Sequence, residues 1–428
     1  MTVTTARPGS IKLVALASLV GTTIEWYDFF LYNTAAALVF NKLFFPTIDP
    51  IAGTMAAFGT YTVGFVARPF GGIVIGHFGD KVGRKSMLVL TLLIMGVSTC
   101  LIGLLPTYET IGPWAAVLLV ILRMAQGFGV GGEWGGAVLM AVEHAPPGKR
   151  GFYGSWPQIG VPAGLLLSTI VFSLFARLPQ DQFLAWGWRI PFLLSVVLVI
   201  VGMLIRLRIM ETPAFQKMKE GRTESKQPIF EVIRKYPKEI LQAAGARCAE
   251  NGSFYIYSAF MLVYATQHAH IDRSVALNGI MIASACELFV IPAYGALSDR
   301  IGRRPVYLFG AIMTAVLAFP LFWMFDTQST PLAWLALLLV FLCSHAPMYA
   351  PQGAFFSELF GTSVRYSGAS LGAQLSAAIA GGFSPLIATA LLPTYGPTAI
   401  ALYIIGMAAI TIIAVISAAE TMRRDIET

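Results

Sequence analysis

The sequence predicts an all-α integral membrane protein: twelve transmembrane helices in two six-helix bundles with pseudo-two-fold symmetry. Two observations carry this. Hydrophobic residues make up 56% of the 428 and charged ones only 12%, too little polar surface for a water-soluble chain of this length. A short charged loop, Gly76-His77-Phe78-Gly79-Asp80-Lys81-Val82-Gly83-Arg84-Lys85, returns 219 positions later as Gly295-Ala296-Leu297-Ser298-Asp299-Arg300-Ile301-Gly302-Arg303-Arg304. A signature repeated at half the chain length marks two similar bundles in tandem.

A spanning helix needs about 20 mainly apolar residues. Twelve such runs lie near 13–40, 51–77, 86–105, 113–141, 154–176, 188–207, 239–266, 275–297, 305–325, 332–355, 367–391 and 398–418. They divide into an N-terminal bundle (1–209), a polar linker (210–238) and a C-terminal bundle (239–428). In the linker, Ile229, Phe230, Val232 and Ile233 suit either a short amphipathic surface helix or a structureless segment. With the N-terminus inside, 22 of the 29 Lys and Arg fall on cytoplasmic stretches. This asymmetry puts both termini in the cytoplasm and accounts for the net charge of +7 without nucleic acid. No small-residue cleavage site follows the first apolar run, so it is expected to be an uncleaved first helix. The four cysteines stand singly in apolar runs, so neither a disulfide framework nor a metal site is expected, and no cofactor.

Helix 1 carries Glu25-Trp26-Tyr27-Asp28. Residues three apart share a face, so the two acids point the same way, joined a turn later by Tyr32. A carboxylate at membrane depth is costly unless paired, protonated or wet. Either it is a structural acid paired with an Arg, or it is a proton or substrate site. In the loop after helix 2, Gly83 and Gly302 suit the positive dihedrals of a tight turn, while Gly76 and Gly295 allow close helix approach. Asp80 and Asp299 can cap a helix or pair with a cation on the facing bundle. Helix 3 has no ionisable residue and is expected to pack passively or face lipid. In helix 4, Arg123, Gln126 and Glu133 occupy one sector and must face the interior. Gly127-Phe128-Gly129-Val130-Gly131-Gly132 matches G-x-G-x-x-G inside a spanning run, where glycines serve close helix crossing and not dinucleotide binding.

The loop before helix 5 places Glu143 seven residues ahead of Arg150, and 215 positions on Glu358 precedes Arg365 by the same spacing. Helix 5 then offers Gln158. In helix 7, Arg247, Glu250, Asn251 and Ser258 share a face, with Tyr255 nearby, and Arg247 and Glu250 could also simply neutralise each other. Helix 8 adds Glu287 as a lone intramembrane acid. Helix 10 adds His345, Tyr349 and Gln352, and a single His on an apolar helix reads first as a hydrogen-bonded filler.

The repeated loop G-x-x-x-D-[RK]-x-G-R-[RK] resembles the loop between helices 2 and 3, and between helices 8 and 9, of major facilitator superfamily transporters. Arg123-Met124-Ala125-Gln126-Gly127 resembles the R-x-x-Q-G motif of helix 4. Glu25-Trp26-Tyr27-Asp28-Phe29, Gly131-Gly132-Glu133-Trp134-Gly135-Gly136, Trp186-Gly187-Trp188-Arg189-Ile190-Pro191-Phe192 and Arg365-Tyr366-Ser367-Gly368-Ala369 are similar to the metabolite:proton symporter branch. Within it the Arg247–Glu250 spacing and the residues after Glu133 look most like shikimate-type carriers.

The resemblance implies a monomeric secondary transporter of the bacterial inner membrane, with a central cavity open alternately to each side. The expected cargo is a small organic acid anion carried with protons. Arg123 and Arg247 would grip a carboxylate through forked donors, assisted by Gln126, Tyr32, Gln158, Asn251, Tyr255 and Gln352. Asp28, Glu25, Glu133 and Glu250 are candidates for the coupling proton, with Arg123 the natural cation opposite Asp28. Asp80, Arg84, Asp299, Arg303 and the pairs Glu143/Arg150 and Glu358/Arg365 would latch the cytoplasmic gate. The rival cargo is an osmolyte zwitterion of the proline/betaine kind, whose carriers have a charged C-terminal coiled coil that has no counterpart after Ala418. A drug/proton antiporter shares the fold, but two buried arginines favour an anion. No nucleophile, metal or cofactor constellation points to an enzyme.

Overall fold

The structure, a computed structural model, describes residues 8–47, 50–82, 84–131, 134, 138, 141–142, 145–208, 233–360 and 365–423, with backbone alone at 8–15, 17, 76–82, 84–88, 205–208 and 365–367. Among these residues there are twelve long helical runs and no strand. The first bundle holds α1 (Pro8–Ala35), α2 (Pro50–Val82), α3 (Arg84–Leu104), α4 (Trp114–Val130), α5 (Trp156–Ala176) and α6 (Arg189–Arg208). The second holds α7 (Pro237–Tyr255), α8 (Arg273–Ile301), α9 (Arg303–Asp326) and α10 (Thr330–Leu359). A run starting at Arg365 follows, and Gly396, at φ 67°, divides it into α11 (365–395) and α12 (397–417). Six helical stretches among the described residues are long and apolar enough to cross a membrane on those grounds alone. Most of the linker, residues 209–232, lies outside the described residues, as does most of the expected amphipathic segment.

The internal repeat is visible in the packing. In the first half α1 packs on α5, α2 on α4 and α3 on α6; in the second, α7 packs on α11, α8 on α10 and α9 on α12. The halves meet along α2–α11 and α5–α8. Helices α1 and α7 both continue into a π-helical turn, Ala36–Phe40 and Ile256–Phe260, 220 residues apart, and α7 into a second at Tyr264–His268. Such turns leave the α-helical hydrogen-bond ladder one residue long and re-aim the side chains around them.

The glycines act as the sequence suggests. A Cβ on Gly127 would overlap the Gly64 carbonyl, so α4 lies directly on α2, and a Cβ on Gly64 would meet the Arg123 guanidinium. Gly302 sits at φ 107°, the conformation expected of the turn after Ile301; Gly83 lies outside the described residues. Large apolar side chains such as Phe289 (77% exposed) and Ile413 (68%) point outward, where lipid replaces water as their solvent.

Candidate functional site

Polar and charged side chains collect at the centre, on the inner faces of α1, α2, α4, α7, α8 and α10. Arg68 of α2 and Arg123 of α4 are both buried. The Arg123 guanidinium lies 4.2 Å from the Tyr32 ring centre, 4.5 Å from Phe29 and 4.9 Å from Tyr61. Arg68 lies 4.1 Å from the Phe65 ring centre and 4.4 Å from Phe29, so both cations share Phe29. Arg123 Nη1 donates to Gln126 Oε1 at 3.0 Å. The Nε and Nη2 groups of both arginines have no hydrogen-bond partner. Tyr32 closes this side through a 2.5 Å bond between its hydroxyl and Thr60 Oγ1.

Asp28 is buried, with Oδ1 unpartnered. Its neighbour is the Thr99 hydroxyl of α3, which also accepts Gln126 Nε2 at 2.7 Å. This corrects two expectations. Arg123 is not the counter-ion of Asp28, because its guanidinium turns onto the aromatic rings while Thr99 joins Gln126 to the acid. Helix α3 is not passive, because it supplies that hydroxyl. Glu25 is buried beside a void of about 30 Å³ lined also by Trp134 and Gln158.

In the second half Arg247 Nε pairs with Glu250 Oε2 at 3.3 Å, and the guanidinium lies 5.1 Å from the Trp134 ring centre. Gln352 Nε2 donates to Glu250 Oε2 at 2.9 Å and lies 3.1 Å from the Tyr307 hydroxyl. Glu287 is not a lone acid: its Oε1 is bonded to His345 Nδ1, and His345 Nε2 stands 3.4 Å from Glu250 Oε1. His345 is therefore more than filler. Tyr255 reaches across the interface, its ring 5.1 Å from Phe65 and 5.8 Å from Phe29, with Arg68 beside its hydroxyl. Asn251 is buried with Oδ1 unpartnered. Gln158 accepts Trp134 Nε1 at 3.2 Å and donates to the Tyr349 carbonyl at 3.2 Å, spanning both halves.

Sequence reasoning did not count Arg68 among the site residues, and it left out Glu287 and His345 as a lone acid and a filler. The repeat offset of 219 could have found them: it maps Arg68 onto Glu287, Gln126 onto His345, Asp28 onto Arg247 and Tyr32 onto Asn251. The two halves thus present opposite charge at matched positions.

Among the described residues, contacts cross between the halves at both ends of the centre. At the signature-loop end Asp299 accepts the backbone N–H of Gly151 and of Phe152, each at 2.8 Å. Arg303 Nη1 pairs with the same carboxylate at 2.7 Å, and Arg303 Nη2 pairs with Glu358 Oε1 at 3.2 Å. Glu358 also accepts Thr421 Oγ1 at 2.7 Å, and Glu420 accepts the backbone N–H of Arg303 and Arg304, each at 3.0 Å. Glu358 thus has Arg303 as a partner, because the start of α9 brings the guanidinium against the end of α10. At the opposite end Arg273 donates to the Ala176 carbonyl and to Gln180 Oε1 at 2.7 Å. Gln267 Nε2 reaches Thr54 Oγ1 at 3.3 Å. Asp272 caps α8 by accepting Ser274 N at 2.7 Å, and the Ser274 hydroxyl together with this N–H holds its carboxyl below the usual range. The side chains of Asp80, Arg84 and Arg365, and all of Glu133 and Glu143, lie outside the described residues; Arg150 is half-buried at the start of the turn that Asp299 caps.

Two tandem-repeat bundles packed around a polar centre define a membrane transport protein, not an enzyme. The chain belongs to the Major Facilitator Superfamily, whose family model matches residues 18–385. It is 43% identical to the shikimate transporter of Escherichia coli (strain K12), over 92% of this chain and 91% of that one. It is 35% identical to the proline/betaine transporter of the same organism, over 99% of this chain and 87% of that one. A solved structure of the proton:xylose symporter XylE bound to 6-bromo-6-deoxy-D-glucose superposes with a TM-score of 0.78 at 17% identity, covering 99% of this chain and 98% of that one. At that identity it speaks for the fold alone.

Proposed function

We propose that the protein imports a small organic acid anion, shikimate or a close hydroxylated carboxylate, by proton symport with alternating access. The observation that carries this reading is the pair Arg68 and Arg123: two buried guanidinium groups, each with Nε and Nη2 lacking a partner, and neither in an ion pair with a carboxylate among the described residues. An unpaired buried cation is expensive, and an anionic ligand both fills the site and repairs it. The similarity to a shikimate transporter points the same way. Arg123, Arg68 and Arg247 grip the carboxylate, and Gln126, Tyr32, Gln158, Asn251, Tyr255 and Gln352 hold the rest. Asp28 takes the coupling proton, with Glu25, Glu133 and Glu250 as its alternatives. Asp80, Arg84, Asp299, Arg303, Glu143, Arg150, Glu358 and Arg365 latch the cytoplasmic gate. The carrier works as a monomer in the inner membrane, without a cofactor. Both termini face the cytoplasm, and bundles 1–209 and 239–428 rock about the linker 210–238.

A second reading, uptake of a proline- or betaine-type zwitterion, is favoured by the 35% identity to a proline/betaine transporter. The rings of Trp26, Phe29, Phe65 and Tyr255 suit a quaternary ammonium, but the two arginines already occupy the Phe29 neighbourhood. Uptake of labelled shikimate, proline and betaine into proteoliposomes, with and without an inward pH gradient, separates the readings. Gradient-driven accumulation of shikimate alone supports the first, and accumulation of betaine or proline alone overturns it.

A further inference from the structure

We infer that Glu250, His345 and Glu287 form a second proton-binding site, in the C-terminal bundle, coupled to the substrate through Arg247. The inference rests on the organic-anion reading above. His345 ends the π-helical turn Val340–His345 of α10 and is buried. Its two ring nitrogens face two different carboxylates: Nδ1 is bonded to Glu287 Oε1 of α8, and Nε2 stands 3.4 Å from Glu250 Oε1 of α7. The imidazole is held in that plane by stacking on Phe254, centroids 4.1 Å apart, and on Tyr349 at 4.9 Å. A ring fixed between two acids on two other helices can hold a proton against either of them.

Charge counting gives the site its coupling. The groups facing His345 are Glu287 from α8, Glu250 and Arg247 from α7, and the Tyr307 phenol of α9, which reaches Glu250 through Gln352. Two carboxylates and one guanidinium leave one negative charge. A proton on His345 cancels it, which a dry, low-dielectric site requires. When Arg247 turns to a substrate carboxylate, the cluster again carries one excess negative charge. A second proton from solution then restores neutrality, and Glu287 Oε2, the buried carboxylate oxygen without a partner, is open to receive it. Occupancy by the anion and uptake of that proton are therefore one linked event.

Two measurements on the full-length protein in detergent micelles test this. The first is the pH dependence of shikimate affinity, read by tryptophan fluorescence. Each proton taken up on binding weakens affinity tenfold per pH unit on the alkaline side. The Glu250→Gln/Glu287→Gln double variant, in which no carboxylate is left uncompensated when Arg247 turns to the substrate, should lose one such tenfold step relative to the wild type while still binding at acid pH. Glu287→Gln alone should keep it, because His345, neutral in that variant at rest, takes the proton instead. An unchanged slope in the double variant overturns the proposal. The second measurement needs no substrate: histidine-labelled protein is compared by NMR with His345→Gln to assign the ring. A protonated His345 at neutral pH that becomes neutral in Glu287→Gln is expected. A neutral ring in the wild type overturns the site. If no carboxylate binds at any pH, the anion reading falls, and with it the coupling to Arg247; the NMR result then decides the proton site alone.

Discussion

The Asp299 carboxylate of the C-terminal bundle and the backbone N–H of Gly151 in the N-terminal bundle are 2.8 Å apart, and the same carboxylate takes Phe152 N and Arg303 Nη1. One side chain thus ties the halves together at the signature-loop end. A hydrogen bond to a charged group contributes about 1.5 to 3 kcal/mol. The Asp299→Asn substitution should therefore shift the resting population toward the state open at that end and slow turnover. Equilibrium affinity should stay within a few fold, because the carboxylate is remote from the central arginines. Exchange and binding assays in proteoliposomes check this: lost binding with unaltered exchange kinetics would contradict the latch.

Arg68 offers a sharper test of the cargo. Arg68→Lys keeps the charge but removes the forked donors and the flat stacking surface against Phe29 and Phe65. Affinity for a carboxylate should fall by roughly 1 to 3 kcal/mol, about 5- to 150-fold, as for a lost charge-assisted bond. Titration calorimetry with shikimate reads the change directly. Undiminished affinity would make Arg68 a structural cation held by its rings.

Asp28→Asn should reduce uphill uptake driven by a pH gradient by the contribution of one proton while retaining counterflow exchange, since the amide imitates the protonated acid beside Thr99. Accumulation that followed the imposed gradient as steeply as in the wild type would move that proton to Glu25 or Glu133.

The contact of α4 with α2 is the least forgiving packing in the first bundle. A methyl at Gly127 has nowhere to go but into the Gly64 carbonyl. Gly127→Ala should lower the thermal stability of the detergent-solubilised protein, at a cost of about 1 to 3 kcal/mol from overpacking. A melting curve matching the wild type would show that the two helices can separate without penalty.

The fold was legible because a membrane chain announces its helices by length and hydropathy, and a loop repeated at 219 residues announces two halves. Single-helix spacing also put Arg123 with Gln126 and Arg247 with Glu250 correctly. What spacing along one helix cannot reveal is which helix faces it. Glu287 and His345 are 58 residues apart and meet only because α8 packs on α10. Arg123 and Asp28 both face inward yet do not pair, since the guanidinium lies against the rings of Phe29, Tyr32 and Tyr61 and Asp28 has Thr99 of α3 as its neighbour. Arg68 gives no such signal, because Gly64, Phe65, Gly71 and Gly72 stand three and four positions either side of it and none is a polar partner on its own helix face.

Opposite charges at matched positions of the repeat also bear on how the membrane voltage acts on the carrier. Among the described central groups the first half carries Glu25, Asp28, Arg68 and Arg123, and the second carries Arg247, Glu250, Glu287 and a proton on His345. Counted as ionised, each set sums to zero. A bundle that rocks with no net charge does no electrical work, where a single uncompensated charge would face about 2.3 kcal/mol per 100 mV. The empty carrier then returns at a rate indifferent to potential. A cycle that loads one carboxylate with protons at both Asp28 and the His345 cluster moves one positive charge inward, so voltage drives only the loaded stroke.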